Sequence, residues 1–353
     1  MRLRATLSSV SCVLSSVFLC ILSVGGLPPC IPTLNHYPIF MFTLKRQIVW
    51  TLALSTLLPA IQAAGQIVRR HPTKISTVKM KRAATLDGRV RGEVAGFKGK
   101  VWLYAKNLDT GATYDLGGDT PVRTASTIKV AIMVEAFAQV AEGKRRWSDE
   151  LILKKQKKVP GAGVLGDLSD GLRLPLRDAV TLMIVLSDNT ATNMVLDELA
   201  ADAVNARMDA LGLKETRSLR KVSGGGVSVA GKEEANKRFG IGKSTPREMV
   251  MLLEKLERGE VVNAAVSKEM IELLKRQKYH DGIFRTHWKL PTASKPGALD
   301  ALRSDVGIIY SPRGRIVMAI TCDDMPEIEW SNDNPAYLLM SRLSAILIDG
   351  LGK

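Results

Sequence analysis

Apolar and polar residues alternate through KVWLYAKNLDTGATYDLGG, residues 100–118, with a break at Asp109-Thr110-Gly111. Period-two alternation around a glycine-containing turn predicts a β-hairpin. The same pattern returns near the end of the chain in SDVGIIYSPRGRIVMAITC, residues 304–322, where the turn falls at Ser311–Gly314. Between the two hairpins the apolar spacing widens toward that of helices. Helices are predicted over 81–95, from TASTIK onward, over Leu176–Leu186, over Ala191–Leu199, and from Pro246 with Ser244 or Thr245 as N-cap. A last one covers AYLLMSRLSAILIDGL, residues 336–351. Strands at both ends and helices through about 130–280 describe an α+β domain: an antiparallel sheet flanked by helices, with an all-helical insertion. A polar, glycine-rich loop, KVSGGGVSVAGKEEANKRFGIGKS, interrupts the helical part at residues 221–244.

The pattern before residue 96 is different. The first 63 residues hold no Asp or Glu and two apolar stretches, one from Leu7 to Leu27 and one in QIVWTLALSTLLPAIQA, residues 47–63. The second follows Lys45 and Arg46 and ends in small residues, the layout of a secretory signal cleaved near Ala63. Met41 opens that unit, so translation is expected to start there. A membrane anchor is the other reading, but seventeen residues interrupted by Pro59 make a marginal span. The expected organisation is a leader over 1–63, a lead-in and helix over 64–95, and one domain over 96–350, exported to the periplasm or the medium.

Hydrophobic residues make up 46% of the chain, enough for an extensive core and against wholesale disorder. The net charge of +15 falls to +11 once Arg2, Arg4, Lys45 and Arg46 leave with the leader. No zinc-knuckle spacing or aromatic-interleaved basic stripe accompanies that charge, so nucleic acid is not expected as a partner. The run Lys154, Lys155, Lys157, Lys158 reads as a solvated loop. Of four cysteines only Cys322 lies beyond residue 30, so the mature domain has no internal disulfide to form.

The chemistry is carried by TASTIKVAIMVEAF, residues 124–137. Ser126 and Lys129 share a face at the start of a run that is apolar all round and therefore buried. Burial lowers an amine's pKa, and a neutral lysine can take a serine proton. The same spacing alone also fits an N-cap serine with a snorkelling lysine. Ser-x-x-Lys recurs at Ser76–Lys79 and Ser218–Lys221, but both of those look exposed. A second element, Ser187-Asp188-Asn189, lies 61 residues after Ser126 at the junction of two apolar helices. A third, Ser294-Lys295-Pro296-Gly297, begins a strand.

In this order and spacing the three elements resemble the penicillin-recognising serine hydrolases, and among them the class A β-lactamases. The resemblance covers roughly residues 96–350 and implies the β-lactamase/transpeptidase-like fold. It implies Ser126 as the acylated nucleophile, Lys129 as its base, and Ser187 as proton relay to the leaving nitrogen. Asn189 would hold the substrate's side-chain amide, and Lys295 with Gly297 would line the carboxylate subsite. The N–H groups of Ser126 and Ala298 would form the oxyanion hole. The implied partner is a small β-lactam or a cell-wall peptide, met by a monomer without cofactor or metal. A D-Ala-D-Ala-type peptidase and a non-turnover binding module remain open beside the lactamase.

Two positions depart from the family pattern. Pro296 stands where Thr or Ser is usual, so a hydroxyl for the substrate carboxylate is missing; Arg303 is a candidate replacement, or a solvent-facing hairpin residue. The deacylating Glu that class A enzymes carry four residues before an Asn is also missing: Lys232 precedes Asn236 at that spacing. Glu233 and Glu234 are the nearest carboxylates, either as the base or as a solvated charge cluster. His36, His71, His280 and His287 fit neither a metal motif nor a Ser-His-Asp triad.

Overall fold

The computed structural model describes residues 85–352. The leader, whether signal or anchor, Ser76 and the start of the helix expected at 81–95 lie outside them. The chain begins with α1 (Leu86–Val94), capped by the Thr85 side chain, then β1 (Lys100–Asn107), β2 (Thr113–Leu116) and β3 (Val122–Arg123). A 3₁₀ turn, Ala125–Ile128, leads into α2 (Lys129–Ala141). There follow β4 (Glu150–Ile152), β5 (Arg173–Pro175), α3 (Leu176–Val185), α4 (Asn189–Leu199) and α5 (Ala201–Ala210). Next come β6 (Arg217–Ser218), α6 (Val229–Lys232), β7 (Gly242–Ser244), α7 (Pro246–Glu257) and α8 (Ala264–Leu274). The last elements are β8 (Thr292–Leu299), β9 (Leu302–Ser311), β10 (Gly314–Asp323) and α9 (Pro335–Leu351).

Five strands form one antiparallel sheet in the order β2-β1-β10-β9-β8, so the first hairpin pairs with the last through β1 and β10. Both expected hairpins form, with Gly111 at φ 79° in the first turn, a conformation glycine adopts without penalty. Period-two side chains divide the core. Tyr104, Val306, Ile308, Val317 and Ala319 face the helices of the middle segment. Leu103, Ala105, Ile309, Ile316, Met318, Ile320 and Cys322 face the other way, against Val90 of α1 and Leu339, Leu343 and Leu347 of α9. We refer to these as the front and back of the sheet.

The expected α+β architecture is observed, with one addition. The middle segment is not purely helical, because two short ladders, β4-β5 and β3-β7-β6, run through it. Pieces of two or three residues carry no readable periodicity. Thr245, rather than Ser244, caps α7 through the Glu248 N–H at 3.1 Å. Cys322 is a buried free thiol. No helix among the described residues is long and apolar enough to cross a membrane.

Candidate active site

The site is assembled where three segments meet: the turn before α2, the junction of α3 and α4, and the edge strand β8. Ser126 lies in the 3₁₀ turn, three residues before the α-helix that was expected to hold it; the helix proper begins at Lys129. In a 3₁₀ turn residues i and i+3 eclipse, so Ser126 and Lys129 still share a side. The turn is strained and pinned. Ala125 sits at φ 45°, a costly conformation for a residue with a Cβ. Thr124 donates its N–H to Gly242 O at 3.1 Å, and the N–H and hydroxyl of Thr127 both donate to Thr124 O. Arg123 pairs with Asp323 at the end of β10. Ser126 is half-buried, while Thr127, Ile128 and Lys129 are fully covered.

The Ser187-Asp188-Asn189 segment is a second strained turn, with Ser187 at φ 54°. Asp188 caps α4 by accepting from the Ala191 N–H at 2.8 Å. Its other oxygen accepts from the N–H groups of Val164 and Leu165 at 2.7 and 2.9 Å. One buried carboxylate thus fastens a distant loop across the turn. Asn189 adds a backbone bond to Ala162 O at 2.9 Å and a side-chain bond to Pro160 O at 3.0 Å. The loop approaches closely because Gly163 has no side chain; a Cβ there would lie 2.2 Å from the Asp188 carboxyl carbon.

Strand β8 closes the site. Gly297 passes so near the turn that a Cβ would stand 2.8 Å from both the Ser126 N and the Thr124 O. Pro296 is on the edge strand, where a missing N–H costs no interior ladder bond. Lys295, paired in register with Val306, points to the front.

The two amines meet at one hydroxyl. Lys129 Nζ donates to Ser187 O at 2.7 Å, Ser187 Oγ at 3.3 Å and Asn189 Oδ1 at 3.0 Å. Lys295 Nζ donates to the same Ser187 Oγ at 2.9 Å and to Pro296 O at 2.7 Å. Both lysines are fully buried. Desolvation pushes Lys129 down to about 7, with nearby Asp188 opposing the shift. Lys295 is held well below the ordinary lysine range by burial first and by the Lys129 charge second, with Asp305 pulling the other way. A neutral amine near pH 7, a hydroxyl relay and a second amine form a proton-transfer chain beside a half-exposed serine.

The structure therefore brings Ser126, Lys129, Ser187, Asn189, Lys295 and Gly297 to one place, with Ala298 following Gly297 in β8. It does not bring Glu233, Glu234 or Arg303 there. Glu233 is exposed and accepts from Asn236 Nδ2 at 2.8 Å; Glu234 is exposed and pairs with Lys237 at 2.5 Å. The part of that loop tied to the site is Val222, whose N–H and C=O are both held by the Asn193 side chain, one helical turn beyond Asn189. Arg303 is neither solvent-facing nor in the cleft. Its guanidinium is buried on the back of the sheet, donating to the carbonyls of Leu299, Leu302 and Glu329 between the rings of Trp330 and Tyr337. Register explains this: Arg303 pairs with Ala298, one step out of phase with Lys295. Ser218, expected at the surface, is buried in β6. The clasping role of Asp188 was missed; the glycines of PGAG, residues 160–163, were its one sequence signal.

An antiparallel sheet with helices on both sides and a Ser-x-x-Lys turn between edge strand and helical segment is the fold of serine hydrolases that recognise penicillins. The family described as "Beta-lactamase enzyme family" matches residues 85–351, and the chain belongs to it. Among solved structures it is similar to a β-lactamase from Sphaerobacter thermophilus DSM 20745, at 28% identity and a TM-score of 0.66, covering 75% of this chain and 96% of that one. It is also similar to PBP-A, at 26% identity and 0.65, covering 75% and 94%. A single-residue mutant of PBP-A, solved as an acyl-enzyme complex with penicillin G, matches at 25% identity and 0.64 over the same shares. Comparison with curated proteins found no match.

Proposed function

We propose that this protein is a Ser-Lys hydrolase of the class A β-lactamase type that opens β-lactam rings through an acyl-enzyme on Ser126. The observation that carries the reading is the convergence of Lys129 and Lys295 on Ser187 Oγ beside that serine. Neutral Lys129 takes the Ser126 hydroxyl proton as Oγ attacks the lactam carbonyl carbon. The developing oxyanion is received by the N–H groups of Ser126 and Ala298. As the C–N bond breaks, Ser187 passes its proton to the leaving nitrogen and is reprotonated from the lysine pair. Lys295 attracts the substrate carboxylate, and Asn189 turns to the side-chain amide.

Hydrolysis of the acyl-enzyme is the slow half of the cycle. The loop residues tied beside Asn189, Lys221-Val222-Ser223, carry no carboxylate, and Glu233 and Glu234 are engaged elsewhere. That favours, as a second reading, a protein whose lactam adduct persists and whose turnover substrate is a wall peptide. Intact-protein mass after penicillin G exposure, followed over time, tests both. A penicilloyl adduct that maps to Ser126 and decays over many minutes is expected. Rapid return to the free mass, with fast hydrolysis of a chromogenic cephalosporin, would replace the slow-turnover reading by an efficient lactamase. No adduct and no hydrolysis would overturn the assignment of Ser126.

A further inference from the structure

Directly behind Lys295, on the back of the sheet, lies a carboxylate that the proposed mechanism leaves unused. Asp305 of β9 pairs in register with Pro296, the residue after Lys295, and is fully buried. One of its oxygens, Oδ2, accepts from the Ile283 N–H at 3.0 Å. The other, Oδ1, has no hydrogen-bond partner. No cation among the described residues lies within ion-pair distance of it. Arg303, on the same face two residues earlier, spends its guanidinium on carbonyl groups and leaves its buried Nε unpartnered as well.

The bond to Ile283 has a structural purpose. Residues 277–284 cross from the front of the sheet to the back around the edge of β8. At the front, Gln277 Nε2 donates to Ile184 O at 2.8 Å and the Lys278 N–H to Val185 O at 3.2 Å, just ahead of Ser187. At the back, Gly282 lies so close to Asp305 that a Cβ would be 2.6 Å from Oδ2. Asp305 therefore fastens the far end of a strap whose near end supports the Ser187 turn. An asparagine could accept the same N–H, through its amide oxygen. The carboxylate offers in addition a negative charge in a low-dielectric interior, one register step from a buried ammonium.

We propose that Asp305 is a positioning residue: across the sheet its charge holds Lys295 in the ammonium form that attracts a substrate carboxylate. The proposal deepens the Ser126 acylation reading and rests on it. Burial raises the Asp305 carboxyl to about 7, opposed by the Ile283 N–H, by Lys295 and by the Val306 N–H. The other groups facing it are Arg303, Asp281 of the strap and Tyr337 of α9, whose hydroxyl is itself pushed up to about 12 by burial. Asp305 is thus neutral in mild acid and charged in mild base. The support it gives Lys295 grows as pH rises through 7, as Asp305 gains its charge.

The test compares wild type with Asp305→Asn in acylation by penicillin G between pH 5.5 and 8.5. Equal rates are expected at pH 5.5. By pH 8.5 the variant should fall roughly tenfold behind, the order expected of one nearby charge in a protein interior. A deficit that is constant across pH, or none, overturns the proposal and leaves Asp305 a strap anchor only. A second measurement is independent of acylation: thermal melts of wild type, Asp305→Asn, Lys295→Met and the double variant. The two substitutions should couple at pH 8 and be additive at pH 5.5. Additivity at both pH values overturns the charge contact even if lactam chemistry proves absent. Coupling without any acylation would instead refute the Ser126 reading and keep the contact.

Discussion

At the scale of single residues, the site depends on two lysines that the fold keeps out of water. Ser126→Ala should abolish the penicilloyl adduct and leave the melting temperature nearly unchanged, because the half-exposed hydroxyl packs no core. Ser218→Ala, within the other Ser-x-x-Lys of the described chain, should leave acylation as it is; adduct formation that depended on Ser218 instead would refute the assignment. Lys129 gives a pH dependence of definite sign. Burial pushes its amine down to about 7, and the neutral form is the base in the proposed mechanism. Acylation should therefore rise with pH through a limb centred near 7 and be depressed at pH 5.5. Lys129→Met should lower the rate by at least about a hundredfold, the lower end of what a positioned general base contributes, and remove the limb. A wild-type rate that is flat from pH 5.5 to 8 would contradict a neutral-lysine base.

At the scale of elements, the site is a matter of close approach. Strand β8 touches the Ser126 turn at a glycine, and the loop over Asp188 does so at another. Gly297→Ala would push a methyl group against backbone atoms of Thr124 and Ser126, neither of which can swing aside. The variant should lose roughly 1–3 kcal/mol of stability, the usual cost of overpacking. Its acylation should fall further than that of a surface control, because the Ala298 N–H moves away from Ser126. A folded, fully active Gly297→Ala protein would show that β8 does not form the wall of the site. Much at this scale was legible beforehand. The hairpins and the long helices follow from local alternation and capping, and the three motifs in their order carry the family resemblance. The beginning of α2 at Lys129 rather than at Ser126 was not, because a 3₁₀ turn and an α-helical turn carry the same apolar spacing over four residues. Nor was the inward course of Arg303, since a charged residue in an alternating strand reads as solvent-facing until the helix behind the sheet is in place.

At the scale of the whole molecule, α1 is an integral part of the described fold. Val90 is buried against the back of the sheet, and Arg89 and Glu93 pair with Asp349 and Arg342 of α9. A chain starting at Ala64 should fold and acylate like the full-length protein. One starting at Gly96 should melt lower, since loss of the fully buried Val90 alone forfeits about 1.5–3 kcal/mol. Equal melting of the two would show that α1 is dispensable. We also propose that residues 1–63 are an export leader removed near Ala63. N-terminal sequencing of protein secreted by its native host, expressed from Met1 and from Met41, should give the same mature start. A mature protein retaining residues before Met41 would sink that proposal.

The sequence by itself determined the sheet-and-helix architecture, the identity of Ser126, Lys129, Ser187, Asn189 and Lys295 as one group, and the departure at Pro296. The architecture is written in alternation and helical spacing; the grouping and the departure come from the resemblance of three short motifs, in their order, to the penicillin-recognising serine hydrolases. What only the tertiary structure decided is contact between segments far apart in the chain. The sharing of Ser187 Oγ by two buried amines, the clasp of Asp188 on Val164 and Leu165, and the exclusion of Glu233 and Glu234 from the cleft are of this kind. So is Asp305, invisible as more than a strand residue until the strap and α9 close over it. The reason is dielectric as much as geometric. An ionisable side chain acquires its chemistry from how completely its surroundings exclude water, and burial is a property of the packed whole.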